Sequence, residues 1–79
     1  EDVRQILATN MRLARIAAGI SQEELAHRAG IDRTYVSGIE RGKRNPTITV
    51  VARFAEALGT TTANLLARDA YAGGGRRKP

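Results

Sequence analysis

The stretch QEELAHRAGIDRTYVSGIE, Gln22 to Glu40, decides the fold. It contains two short amphipathic helices whose only connection is Gly30-Ile31-Asp32. A link that short does not let two helices lie antiparallel side by side, so they must cross steeply. Three features fit that crossing for separate reasons. Ala26 is small where the later helix has to approach closely. Gly30 supplies the positive φ of the turn. Ile31, Val36 and Ile39 then pin the later helix against Leu25 and Ala29, leaving its opposite face free. That free face carries Arg33, Thr34, Ser37 and Gly38, with Tyr35 and Arg41 at its flanks. These are donors and small residues, not the Glu/Lys mixture of an ordinary solvated helix.

The residues on either side extend this pair into a five-helix pattern. Ser21, with Glu24 three residues on, forms a capping box at the start of the second helix, and the Asp32 carboxylate can cap the third. Upstream, Val3, Ile6, Leu7, Met11, Ala14 and Ala17/Ala18 recur at helical spacing, with Asp2 as N-cap and Gly19 as terminator. Downstream, Arg41-Gly42 and Asn45-Pro46 mark a loop. Thr47 can cap a fourth helix with Ile48, Val51, Phe54, Ala55 and Leu58 as its stripe, and Gly59 ends it. The Thr60-Thr61-Thr62 run caps a fifth helix over Ala63–Tyr71, with Leu65 and Leu66 inward. No segment alternates like a strand. The expected fold is all-α, a compact bundle of five short helices around a central helix-turn-helix. Its domain covers residues 1–72, and a flexible basic tail, residues 73–79, follows it.

Composition narrows the function. The chain has 79 residues, no Cys, one His, 13 Lys/Arg and 8 Asp/Glu, for a net charge of +5. A chain this size buries only about 60–65% of its unfolded surface, so a partner copy would add useful burial. Without Cys and with a single His there is neither a disulfide scaffold nor a Cys/His metal site. His27 reads as a surface residue with nothing at i+3 or i+4 to complete a metal site, and no cofactor or small-molecule ligand is implied. The longest uncharged run, Ala57 to Ala67, is too short and too polar to span a bilayer. An acidic N-terminus without an apolar core segment does not read as a signal peptide, and the expected location is the cytoplasm. Arg76, Arg77 and Lys78 carry +3 of the +5, so the remainder holds +2. Within that remainder, Arg28 to Arg44 is the one strongly basic stretch, with five basic residues against Asp32 and Glu40.

An α-helix fits the major groove of DNA, where Arg can bind guanine O6 and N7 together. The order Gly19-Ile20-Ser21-Gln22-Glu23-Glu24-Leu25-Ala26, Ala29-Gly30-Ile31, Val36-Ser37-Gly38-Ile39-Glu40-Arg41-Gly42, followed by Asn45-Pro46-Thr47-Ile48 and Ala57-Leu58-Gly59, resembles the lambda-repressor/Cro-type helix-turn-helix regulators over residues 10–68. Within that family, Asp32 to Arg41 looks most like the controller proteins of restriction–modification systems. The resemblance implies that Gln22 grips a backbone phosphate and that Arg33, Thr34 and Ser37 face base edges or adjacent phosphates. It also implies that Arg15 pairs with Glu40, and that Lys43, Arg44 and Asn45 run along the DNA backbone. Gly38 departs from the pattern, since many relatives carry a base-reading side chain there.

Some residues support two readings. Arg33 can read a base or hold a phosphate. Asp32 can accept from cytosine N4, though capping suits it better. Tyr35 can touch a phosphate through its hydroxyl or pack over the turn. Gly38 can mark a close approach to DNA or be tolerated drift. Leu65, Leu66 and Tyr71 can be core or a dimer surface. The expected function is a sequence-specific transcriptional regulator that binds double-stranded operator DNA as a homodimer. The alternative is a protein-interaction module of the same fold, an antitoxin or a bridging coactivator, which the polar outer face of the third helix disfavours. An enzyme is not expected, because no paired carboxylates, nucleophile–base pair or metal cluster sits at usable spacing.

Overall fold

The computed structural model describes residues 2–68, in which the order is α1 (Val3–Ala18), α2 (Gln22–Ala29), α3 (Arg33–Glu40), α4 (Ile48–Leu58) and α5 (Thr62–Leu66), with no strand among the described residues. Every one of these helices starts on a short side-chain oxygen that accepts from a backbone N–H of the first turn, where no intrahelical partner exists. Asp2 accepts from Arg4, Ser21 from Glu24, Asp32 from Thr34, Thr47 from Val50 and Thr61 from Asn64. At α2 only the forward half of the expected capping box forms. The Glu24 carboxylate turns instead to Arg28, whose Nε donates to it at 2.8 Å.

The turn between α2 and α3 is closed by two backbone bonds. Gly30 N–H donates to the His27 carbonyl at 3.2 Å, and Ile31 N–H to the Ala26 carbonyl at 3.0 Å. This Schellman pattern needs a left-handed residue, and Gly30 stands at φ 69°. Ile31 then packs on the core. Arg53, from α4, donates to the Gly30 carbonyl at 3.4 Å and so braces the turn from outside.

One core cluster joins all the elements. Leu7, Met11 and Ala14 come from α1, and Leu25, Ala26 and Ala29 from α2. Val36 and Ile39 of α3, Val51, Phe54 and Ala55 of α4, and Leu65 of α5 complete it. Helix α3 lies against both α1 and α2, while α2 also rests on α4. Two expected stripes run past the core at their ends. Ala17 and Ala18 are exposed, as are Val3 and Ile48 at 53% and 74%, because the helices extend beyond the bundle there.

Helix α5 is shorter than expected. It stops at Leu66, and Ala67 turns extended (φ −83°, ψ 134°). The cause lies in α1, where Asn10 is buried and its Nδ2 donates to the carbonyls of Asn64, Leu65 and Ala67 at 3.3, 2.9 and 2.8 Å. The Asn64 carbonyl also accepts from the Ala67 N–H at 3.3 Å, while this one amide supplies the donor to the Leu65 and Ala67 carbonyls. Tyr71, the tail 73–79 and the expected domain end at residue 72 lie outside the described residues.

Candidate nucleic-acid interface

Helix α3 presents its inner side to the core through Val36 and Ile39, which are 0% and 1% exposed. The spacing that buries these two leaves Arg33 and Thr34 exposed in the first turn and Arg41 exposed just past the end. Ser37 is half-buried, and its hydroxyl accepts from Arg41 Nε at 3.4 Å, a long bond. The Asp32 carboxylate accepts from the Thr34 N–H at 3.0 Å, which fixes the start of α3.

Gly38 is not on an open face. It is buried, and the cover is Arg44. After α3 the chain folds back: Gly42 N–H donates to the Ile39 carbonyl at 2.9 Å and Lys43 N–H to the Gly38 carbonyl at 2.8 Å, with Gly42 at φ 72°. This return lays the Arg44 side chain across α3 and places its Cζ 5.2 Å from the centroid of the Tyr35 ring. Tyr35 is half-buried and packs against the core. Lys43 and Asn45 are exposed beside it.

The ends of three helices meet at Glu40. Its carboxylate accepts from Arg15 Nε at 2.8 Å, Arg15 Nη2 at 3.0 Å and Gln22 Nε2 at 3.0 Å. Side-chain exposure is 3% for Glu40 and 14% for Arg15, so this pair is shielded from solvent and is not a surface contact. Arg15 Nη1 also donates to the Ile20 carbonyl at 3.0 Å. The hydrogen bonds that Arg15 donates to Glu40 hold its guanidinium pKa above the ordinary value, against a smaller opposing effect of burial. Gln22 uses one of its two amide N–H donors on Glu40 and keeps the other at the start of α2.

The geometry thus ties Gln22, Arg15 and Glu40 into one cluster, and Tyr35, Gly38 and Arg44 into another. Ser21, Ala26, Gly30 and Asp32 serve the caps and the turn. Leu65 is a correction: at 0% exposure it is consumed by the core of a single chain and has no surface to offer a partner, whereas Leu66 is half-buried at the rim. Asn10, Arg53 and the seating of Arg44 on Gly38 were not legible in advance. A glycine on the outer side of a helix, six residues before an Arg and with a second glycine between them, is the one sequence signal that could have found the last of these. Among the described residues no group of His, Cys, Asp or Glu is placed to hold a metal ion, and no helix is long and apolar enough to cross a membrane.

A profile of the helix-turn-helix family matches residues 11–65, which spans α2, α3 and α4 and the second half of α1. The chain belongs to the helix-turn-helix family. It is 48% identical over 66 residues to a Neisseria hypothetical transcription factor from Neisseria meningitidis serogroup B, covering 84% of this chain and 62% of that one. The chain therefore spans less than two thirds of that relative's length. It is 42% identical over 67 residues to the control protein C.SmaI of Serratia marcescens, covering 85% and 80% of the two chains. Among solved structures it resembles the restriction–modification controller protein C.Esp1396I, described as a tetramer in complex with its natural 35 base-pair operator, with a TM-score of 0.76 and 31% identity over 82% of this chain and 86% of that one. These relatives of the helix-turn-helix chain are transcription regulators and control proteins, not enzymes.

Proposed function

We propose that this chain is a non-enzymatic, sequence-specific transcription regulator of the restriction–modification controller type, binding operator DNA as a homodimer with α3 of each copy in the major groove. The observation that carries the reading is how α3 is held. Val36 and Ile39 fasten one side and Glu40 locks its end to α1 and α2, while Arg33 and Thr34 stand exposed with no apolar neighbour to bury them. A helix held this firmly and fronted by donors suits insertion into a groove rather than docking on a protein, which would require apolar anchors. The operator complex described for C.Esp1396I supports the same partner.

In this reading Arg33 and Thr34 face base edges, with Arg33 bidentate to guanine. Ser37 and Arg41 act together through their hydrogen bond at the far end of the helix. The second Gln22 N–H, at the N-terminus of α2 where the helix dipole favours an anion, takes a phosphate. Lys43 and Asn45 contact the backbone alongside.

A single α3 reads only a few base pairs, so operator choice needs two copies about one DNA turn apart. The face offered to the second copy is a groove of about 160 Å³ whose apolar lining is Val3, Leu7, Pro46, Ile48, Val51 and Leu66, with Arg4 and Asn45 also lining it. Leu66 remains part of the dimer surface in this reading; Leu65 supports it from beneath. The test is selection from a pool of randomised duplexes, followed by a salt titration of the enriched duplex. Enrichment of one sequence, with affinity falling about a thousandfold or more between 50 and 200 mM salt, supports the reading. Enrichment of no sequence, or a flat salt response, ends it.

A further inference from the structure

We propose that Gly38 and Tyr35 are positioning residues that seat Arg44 on the exposed side of α3, so that a guanidinium supplied by the following loop reads a guanine edge where the helix itself has no side chain. The inference deepens the DNA-binding reading above and rests on it. An added Cβ at Gly38 would lie 2.7 Å from Arg44 Cγ and 3.2 Å from its Nε. No real Cβ sits that close, so Arg44 occupies the volume that any other residue at this position would fill. Glycine is a poor choice for a helix interior, and at Gly38 the room it leaves for Arg44 accounts for it.

The side chain is held at both ends. Its root is fixed by the backbone return, in which Lys43 N–H donates to the carbonyl of Gly38 itself. Its tip lies over Tyr35, whose half-buried ring packs against the core. A guanidinium over an aromatic face is attracted by the ring and keeps its N–H donors at its edge, where a planar base presents its acceptors. Arg44 is exposed despite these contacts. It lies against the helix over Tyr35 and Gly38, the helix whose first turn carries Arg33 and Thr34. A group in that place enters the groove with α3, which separates it from Lys43 and Asn45 on the loop. Holding the long side chain ready in advance also lowers the ordering cost of binding.

The test uses the duplex enriched by the wild-type chain and its full set of single-base-pair variants, read by fluorescence anisotropy, with a thermal melt of each protein. Arg44→Ala and Arg44→Lys should both lose discrimination at one G·C pair by about tenfold or more, because Lys keeps the charge but not the fork. Gly38→Ala should melt at or above the wild-type temperature yet lose discrimination at that same pair, since the added methyl evicts Arg44. Tyr35→Phe keeps the ring and should retain the preference, whereas Tyr35→Leu should lose it. A uniform loss across all variants for Arg44→Ala, recovered by Arg44→Lys, would assign Arg44 to a phosphate and overturn the inference while leaving the DNA reading intact. Wild-type preference retained in Gly38→Ala would equally overturn it. Failure of the wild-type chain to enrich any duplex would remove the DNA reading itself, and the inference with it.

Discussion

Arg33 and Glu40 bound the same helix and have opposite duties. Arg33 is exposed at the first position of α3, so its removal touches no packing. Arg33→Ala should leave the melting temperature almost unchanged and weaken operator binding by about 1–3 kcal/mol, with relaxed preference at one base pair. Anisotropy against single-base variants checks this, and an equal loss on every duplex would reassign Arg33 to a phosphate. Glu40 is the reverse, a buried carboxylate with three donors on it. Glu40→Ala leaves Arg15 shielded without its counter-charge and should cost about 1–3 kcal/mol of stability, or roughly 5–20 °C in a chain this small. A melt within a degree of wild type would show that the pair contributes nothing. The Arg15–Glu40 tie and the phosphate role of Gln22 enter the sequence reading only through family resemblance. That one amide serves both needs is a matter of geometry, since Gln22 and Glu40 are 18 residues apart.

At the scale of the helices, local chemistry was legible and distant chemistry was not. N-caps act over two or three residues, so Asp2, Ser21, Asp32 and Thr47 could be placed from neighbours alone, and the fifth cap narrowed to Thr60-Thr61-Thr62, of which Thr61 serves. The end of α5 could not, because what stops it is an amide on α1, 54 to 57 residues away. Periodicity carried the fifth helix past Leu66, and a buried Asn on an apolar stripe gave no sign of its partners. Asn10→Leu should leave the Leu65 and Ala67 carbonyls without this donor and cost about 1–3 kcal/mol, measured by denaturant unfolding; an unchanged midpoint would mean the helix ends there for another reason. The Gly38–Arg44 contact lay hidden for a related cause, since a chain reversal at Gly42 must be known before residue 44 can be put back on residue 38. Helix ends also contribute to the acid limb of stability. Hydrogen bonds from Arg28 and Arg4 hold the Glu24 and Asp2 carboxyls below their ordinary values. Depressed carboxyls stabilise the fold above the unfolded pKa, and this contribution is lost as pH falls through the folded value. Melting temperature should therefore decline from about pH 5 downward, and Glu24→Gln should remove part of that slope. Both groups are exposed, so high salt should shrink the effect.

For the whole molecule the basic excess is a weaker guide than its placement. Of the +5, three charges belong to Arg76, Arg77 and Lys78, while within the body Arg33, Arg41, Lys43 and Arg44 concentrate on α3 and the loop after it. Small size is the second constraint. One core cluster serves every helix, and of the exposed large apolar residues Val3 and Ile48 meet Pro46 and Leu66 in one groove, while Ile16 stands apart from it. Ile48→Glu places a charge where a second copy would sit, at a position 74% exposed in the single chain. It should fold normally, run as a monomer in sedimentation, and lose binding to a two-half-site duplex; an unchanged dimer would move the interface elsewhere. If α3 lies in the major groove and reads guanine, a methyl group on guanine N7 must block it. Dimethyl sulfate places that methyl inside the groove, so methylation interference is the decisive measurement. Methylation of guanines in two clusters about 10 base pairs apart should abolish binding to the selected duplex. Binding that tolerates methyl groups at every guanine N7 would mean that α3 does not read guanine in that groove.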